Sequence, residues 1–119
     1  MTPAPLIGSR SIVDQTGRTV YELSVFMPYV RDVENPDSDW VCELSLTGPN
    51  QNFNRRKVHG VDALQALQLA LKFLGSTLRH ENEKGDGQLR LYQDDRPGEF
   101  DLPEFGDSLS AAIEWKVKT

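Results

Sequence analysis

The sequence predicts an α+β fold, in which an antiparallel β-meander packs on one long central helix and a short C-terminal helix follows. A run of apolar residues at helical spacing extends from Val61 to about Arg79. Two segments, 19–27 and 40–47, alternate apolar and polar residues with the period of a half-buried strand. Short turns join the segments before the helix, which favours antiparallel neighbours. The 119 residues are expected to form a single domain, 1–119, with residues 1–5 as a flexible N-terminus.

The central helix is expected to start at Asp62, because Asp at the N-cap and Gln65 three residues later form a capping box. Leu69 and Phe73 point away from the main apolar face and need a second cover. We expect the C-terminal segment to supply it, with a homodimer interface as the alternative. The main face comprises Val61, Leu64, Leu67, Leu71, Leu74 and Leu78, and the covering residues are Phe105, Ile113 and Trp115.

Four strands are expected before the helix, at Leu6 to Val13, Thr19 to Met27, Trp40 to Thr47 and Phe53 to Val58. Pro28 ends the second strand, because proline cannot donate to a ladder. The fourth strand is basic, which is typical of an edge strand protected against aggregation. Its basic residues are Arg55, Arg56 and Lys57, and the residues expected to face the helix from the sheet are Tyr21, Leu23, Leu44 and Leu46.

Three features are expected after the helix. The glycines of segment 85–87 break the chain, and residues 89–92 alternate as a short strand would. Residues 102–106, Leu-Pro-Glu-Phe-Gly, form an irregular anchor. Asp107 or Ser108 then caps the short final helix, whose apolar residues are Leu109, Ala112 and Ile113.

Composition indicates an ordinary globular protein, with 38% hydrophobic and 26% charged residues. No apolar run approaches the ~20 residues of a membrane span, and the first residues lack the pattern of a secretory signal. The single cysteine, Cys42, excludes an internal disulfide and fits a reducing compartment. The cytoplasm is therefore the expected location, without membrane association.

Charge is distributed unevenly along the chain, whose net charge is −5. Segment 81–107 holds nine acids against three bases, while the rest nearly balances. An acidic stretch of this kind is either a solvated surface or a face for a basic partner. The acidic balance also argues against nucleic acid as a partner.

The residues predict no catalytic centre, cofactor or metal. His59 and His80 have no cysteine or acid at ligand spacing, so a zinc site fails on ligand count. Cys42 points inward from a strand, where burial raises the thiol pKa and makes it inert. The acids of loop 32–39 do not match a calcium loop, because Pro36 interrupts them. We therefore expect a protein that is not an enzyme; a site that uses carboxylates alone stays open as an alternative.

Three stretches carry a resemblance: 39–44 (Asp-Trp-Val-Cys-Glu-Leu), 60–67 (Gly-Val-Asp-Ala-Leu-Gln-Ala-Leu) and 102–106. Together they resemble a family of small standalone bacterial proteins of unknown function, which has a Trp-x-Cys strand, a Gly-Val-Asp-x-x-Gln-Ala-Leu helix and a closing Pro-x-Phe-Gly segment. The resemblance spans about residues 6–117. It supports the architecture and implies no catalytic residues.

The expected function is binding of a protein partner, most plausibly as an immunity protein that inhibits a bacterial toxin with a basic site through an acidic surface. The alternatives are a secretion adaptor or chaperone, a homodimeric housekeeping protein, and a small-ligand-binding domain or carboxylate-only enzyme. The preferred partner-binding residues are Asp94, Asp95, Glu99, Asp101 and Glu104, and a second acidic group comprises Asp37 and Asp39.

Overall fold

A computed structural model of the protein describes residues 3–104, which form five strands and one helix. The α+β class is therefore confirmed. The strands and the helix, in chain order, are β1 (Leu6–Val13), β2 (Thr19–Phe26), β3 (Tyr29–Val30), β4 (Trp40–Thr47), β5 (Asn52–Gly60) and α1 (Ala63–Lys84). The expected final helix lies outside the described residues.

The five strands form one antiparallel sheet in the order β1-β2-β4-β3, and β5 also pairs with β4. β2 and β3 pair with successive parts of β4: Val25 lies opposite Leu44, and Tyr29 lies opposite Val41. Pro28 separates β2 from β3, because it has no N–H to donate. The four expected strands pair in the order β1-β2-β4-β5, and β3 is an additional short strand that pairs with β4.

The start of α1 matches the expected cap. Asp62 Oδ1 accepts a hydrogen bond from the Gln65 N–H at 2.7 Å. Gln65 Oε1 in turn accepts from the Val61 N–H at 2.7 Å, one residue before the cap. Two of the free N–H groups at the helix start are thereby satisfied.

The face that α1 turns toward the sheet differs from the expected one. Leu64 is 64% exposed and Val61 75% exposed, so neither belongs to the core. Of the four other leucines of the expected face, Leu67 and Leu71 are half-buried and Leu74 and Leu78 are fully buried. A Cβ on Gly60 would lie 2.4 Å from the backbone nitrogen of Ala66, so the end of β5 contacts the helix closely. Small residues permit this approach, and the buried stripe therefore runs through Ala66, Ala70, Leu74 and Leu78.

The core lies between α1 and one face of the sheet. All four sheet residues that were expected to face the helix are buried there. Cys42 is fully buried and burial raises its thiol pKa to about 11, as expected for an inert core cysteine. The sheet residues that belong to this core are Ile12, Tyr21, Leu23, Val25, Cys42, Leu44 and Leu46.

Phe73 has a cover within the described residues. Its ring meets the ring of Phe53 on β5 edge-to-face, with centroids 5.8 Å apart. The guanidinium of Arg56 lies over the Phe73 ring at 4.8 Å. Phe105, Ile113 and Trp115, which were expected to cover this side of the helix, lie outside the described residues.

The sheet face opposite the helix contains a buried carboxylate, Glu43. It accepts hydrogen bonds from Tyr29 Oη at 2.6 Å and from Arg55 Nη1 at 3.0 Å. Burial acts to raise the pKa of Glu43, but these two hydrogen bonds outweigh it and lower the pKa. Burial, followed by the hydrogen bond to Glu43, raises the pKa of Tyr29 to about 12. One base of β5, Arg55, therefore neutralises a buried carboxylate in addition to lying on an edge strand.

Candidate functional site

The chain segment that follows α1 is held to the end of the helix. The Gly85 and Gly87 N–H groups donate to the carbonyls of Glu81 and Asn82, each at 3.0 Å. The Asn82 side chain then accepts from the Leu89 N–H at 2.8 Å. Gly87 has a positive φ of 75°, which suits glycine and reverses the chain. Residue 89 is thereby brought back against the core, where Leu89 is buried.

Residues 89–104, called here the acidic loop, fold back on themselves. The Leu91 N–H donates to the Glu99 carbonyl at 2.8 Å, and the Gly98 N–H donates to the Leu89 carbonyl at 2.7 Å. Arg90 joins the loop to the sheet through an antiparallel bridge with Val13 at the end of β1. The expected short strand at 89–92 is thus one bridge.

Arg90 organises the inside of the acidic loop. The residue is buried, with only 8% of its surface exposed. The guanidinium donates to the carbonyl of Gln88 at 3.0 Å and to that of Asp95 at 3.2 Å, with a longer bond to the Gln93 carbonyl at 3.4 Å. The Gln88 side chain accepts a further bond at 2.8 Å. The planar donor set of arginine therefore fixes four acceptors at once, two on Gln88 just before the loop and two within it.

Two arginines outside the acidic loop hold its second half. Arg10 of β1 donates to the carbonyls of Phe100 and Asp101, both at 3.0 Å. Arg79 of α1 pairs with Glu104 at 2.7 Å and with Glu83 at 3.1 Å. The hydrogen bond to Glu104, then that to Glu83, raises the pKa of Arg79. The loop is thus fixed to the sheet and to the helix.

The acidic loop lines an open cavity of about 560 Å³. Carboxylates, the exposed ring of Tyr92 and apolar side chains share its wall. The Asp95 carboxylate also accepts from the Tyr92 N–H at 3.1 Å, which holds these two residues side by side. The lining residues are Leu91, Tyr92, Asp95, Gly98, Glu99, Phe100, Asp101, Leu102 and Glu104.

Four of the five acids preferred from the sequence lie in this wall, and Asp94 is the one that does not line the cavity. The four carboxylates differ in their pairing. Glu104 and Glu99 lie next to Arg79 and Arg96, at 2.7 and 3.4 Å. Asp95 accepts from a backbone N–H, and Asp101 holds a positive φ of 53°.

The second acidic group lies elsewhere. Asp39 precedes β4, whereas the acidic loop joins β1 at Val13, near the opposite end of the sheet. Asp39 pairs with Arg31 and accepts a 2.6 Å hydrogen bond from His59 Nδ1. The hydrogen bond from Arg31, followed by that from His59, lowers the pKa of Asp39. The structure therefore does not bring Asp37 and Asp39 to the cavity.

The side chains that line the cavity determine which ligands it can bind. Carboxylates beside an exposed aromatic ring suit a cation, through ion pairs and cation–π contact. Within residues 3–104 no group of three or more His, Cys, Asp or Glu side chains could hold a metal ion.

Two residues of the site, Tyr92 and Arg90, were not predicted from the sequence as site residues. The signal that could have found Arg90 was a single base between two leucines in an otherwise acidic segment.

Fold and site together define an α+β domain in which one helix covers an antiparallel sheet and an acidic loop lines an open cavity. The chain belongs to the family described as a domain of unknown function, DUF6968, whose model matches residues 10–103. The comparisons with curated proteins and with solved structures found no match. Residues 3–104 include no helix with the length and apolarity required to cross a bilayer. Membership of an uncharacterised family agrees with the resemblance and adds no activity.

Proposed function

We propose that this protein is a non-catalytic binding module that captures a basic protein partner through the cavity of the acidic loop. The observation that carries the proposal is the convergence of Asp95, Glu99, Asp101 and Glu104 on one cavity beside Tyr92, which is 63% exposed. A lysine or arginine side chain of a partner would meet opposite charge and an aromatic face together.

The cavity is organised before any partner arrives. Arg90 fixes the loop carbonyls, and Arg10 fixes the backbone at Phe100 and Asp101. A site that is already ordered loses less conformational entropy on binding, which favours affinity. Arg79 and Arg96 partly neutralise Glu104 and Glu99. Asp95 and Asp101, which have no such ion pair among residues 3–104, therefore supply most of the attraction for a cation.

The class of partner that we propose is a bacterial toxin with a basic site, which makes this protein an immunity protein of the cytoplasm. An acidic surface accelerates encounter with a basic protein and disfavours acidic competitors. A secretion substrate would make it an adaptor or chaperone instead, and a small cation would make it a ligand-binding domain. These alternatives are outcomes of the same experiments.

The proposal is tested first by co-expression with the product of each adjacent gene, followed by pull-down and a growth-rescue assay. We expect a complex with one neighbouring product and rescue of growth if that product is toxic. Absence of both for every neighbour would refute the immunity function. Turnover of a small molecule that disappears when Asp95 or Asp101 is replaced would favour the carboxylate enzyme instead.

The role of the cavity is tested with substitutions that remove charge and keep shape. Asp95→Asn retains an oxygen acceptor for the Tyr92 N–H. Asp101→Asn suits the positive φ at that position, since asparagine tolerates the left-handed region. Asp94→Asn removes the same charge one residue away, outside the cavity wall, and is the matched control. We expect the first two to weaken binding roughly tenfold each, in line with a lost charged hydrogen bond, and the control to change it little.

A further inference from the structure

Among residues 3–104 the edge strand β1 is paired on one side. It pairs with β2 there, and on its other side Val13 alone forms a bridge. In that bridge the Val13 N–H donates to the Arg90 carbonyl at 2.8 Å, and the Arg90 N–H donates to the Val13 carbonyl at 2.9 Å. The backbone groups of Val13 therefore point away from β2.

Backbone direction alternates along a strand, so residues two and four positions before Val13 point the same way. These residues are Ser11 and Ser9. The next residue agrees with this alternation: the Asp14 N–H points the opposite way from that of Val13 and donates to the Arg18 carbonyl, just before β2. Among residues 3–104 no backbone group pairs with Ser9 or Ser11 on the outer side.

The edge lacks the usual protection against pairing. β5, at the other side of the sheet, carries three consecutive bases and an irregularity at Arg55, whose φ is 51°. β1 has a single charged residue, Arg10, and its guanidinium is drawn away to the carbonyls of the acidic loop. Leu6 and Ile7 at the start of β1 are 52% and 48% exposed.

We propose that β1 pairs with β1 of a second copy of this chain, antiparallel about a twofold axis, so that two sheets become one. The few charges on β1 favour both this partner strand and one alignment of the two strands. A strongly charged partner strand would find only one charged side chain on β1, that of Arg10. A second β1 strand carries equally few charged side chains and therefore matches this edge. Placing the axis at Arg10 would set two like charges opposite each other, which is unfavourable.

An axis at Ser9 avoids that repulsion and sets each Arg10 opposite Gly8 of the second copy. A Cβ at Gly8 would meet nothing within 4 Å, so space is open there. Ser9 of each copy then exchanges both backbone hydrogen bonds with Ser9 of the other. Ser11 lies opposite Ile7, and the ladder ends at the irregularity between Leu6 and Gly8. The exposed Leu6 and Ile7 side chains flank it and gain cover.

The test measures the mass of the full chain in solution across a concentration series by sedimentation. We expect a monomer–dimer equilibrium for the wild type. Ser9→Pro removes an N–H that points away from β2, so it should raise the dissociation constant at least roughly tenfold, as loss of a backbone hydrogen bond does. Ser9→Ala keeps the N–H and should leave the dimer intact. Ser9→Lys places two like charges on the axis and gives a second disruptive variant if the proline variant does not fold.

Hydrogen exchange identifies what covers the edge. In the dimer the Ser9 and Ser11 amides should become more protected as protein concentration rises. Protection that is the same at every concentration would show an intramolecular cover and overturn the proposal. A monomer throughout the series, or a dimer that tolerates both Ser9→Pro and Ser9→Lys, would also overturn it.

Discussion

The carbonyl oxygen of Pro103 lies directly against Gly75 of the central helix: a Cβ at residue 75 would meet that oxygen at 2.0 Å. The end of the acidic loop crosses the helix at this point, and the Arg79–Glu104 ion pair closes the crossing one turn further along. Glycine in a helix interior costs up to about 1 kcal/mol relative to alanine. Because Gly75 has no side chain, the loop can approach the helix closely at this point.

Gly75→Ala should destabilise the protein despite the better helix propensity of alanine. The Cβ would displace the Pro103 backbone and loosen the wall of the cavity, and we expect a loss of about 1–3 kcal/mol, as overpacking typically gives. Gly8→Ala, where a Cβ meets nothing within 4 Å, is the matched control. Chemical denaturation of both variants measures the difference. A Gly75→Ala protein that is as stable as the control would show that the crossing is not tight.

A pair of leucine truncations tests the orientation of the helix. Leu74 is fully buried against the sheet, so Leu74→Ala should lower the free energy of unfolding by about 2–5 kcal/mol. Leu64 is mostly exposed, and Leu64→Ala should change it by less than about 0.5 kcal/mol. Equal losses would mean that the helix turns the face predicted from its leucines toward the sheet.

Arg90→Lys tests whether the guanidinium organises the acidic loop. Lysine keeps the charge but cannot donate to four acceptors in a planar arrangement. We expect faster hydrogen exchange in residues 91–98 and weaker partner binding, with the central sheet unchanged. Arg96→Lys is the control, because the Arg96 side chain is almost wholly exposed and, within the part of the chain that the structure describes, pairs with Glu99 alone. Exchange rates in the loop that are equal for the two variants would contradict the role given to Arg90.

Stability should fall on acidification through protonation of Glu81. Burial acts to raise the pKa of Glu81, but hydrogen bonds from Gln51, Lys84 and Tyr21 lower it below the usual 4.5. Such a carboxylate binds fewer protons folded than unfolded, so its stabilisation is present above pH 4.5 and is lost as the pH falls through the folded pKa. Thermal unfolding as a function of pH measures this.

Glu81→Gln should flatten the stability profile below pH 4.5, because the variant no longer has a carboxylate to protonate. Glu83→Gln, two residues along the same helix and mostly exposed, should leave the profile close to that of the wild type. If both variants retain the wild-type slope, another carboxylate governs acid unfolding, and Glu43 is the next buried candidate.

Local patterns determined much of the fold. The strands at Leu6–Val13 and Trp40–Thr47 and the cap at Asp62 were predicted correctly, because each depends on alternation or on a hydrogen bond between neighbours in sequence. The acidity of the segment after the helix was also evident from the sequence, and it pointed to four residues that line the cavity.

Contacts between distant residues decided the rest. The helix turns Ala66 and Ala70 toward the sheet because Gly60 contacts its first turn, which no helical periodicity reports. Arg90 and Arg10 reach loop carbonyls whose positions exist only once the chain has folded back. The sequence by itself therefore determined which segments are strand, helix and acidic loop. Only the tertiary structure decided which helix face is buried and which acids share a cavity, because both depend on close approach between elements far apart in the chain.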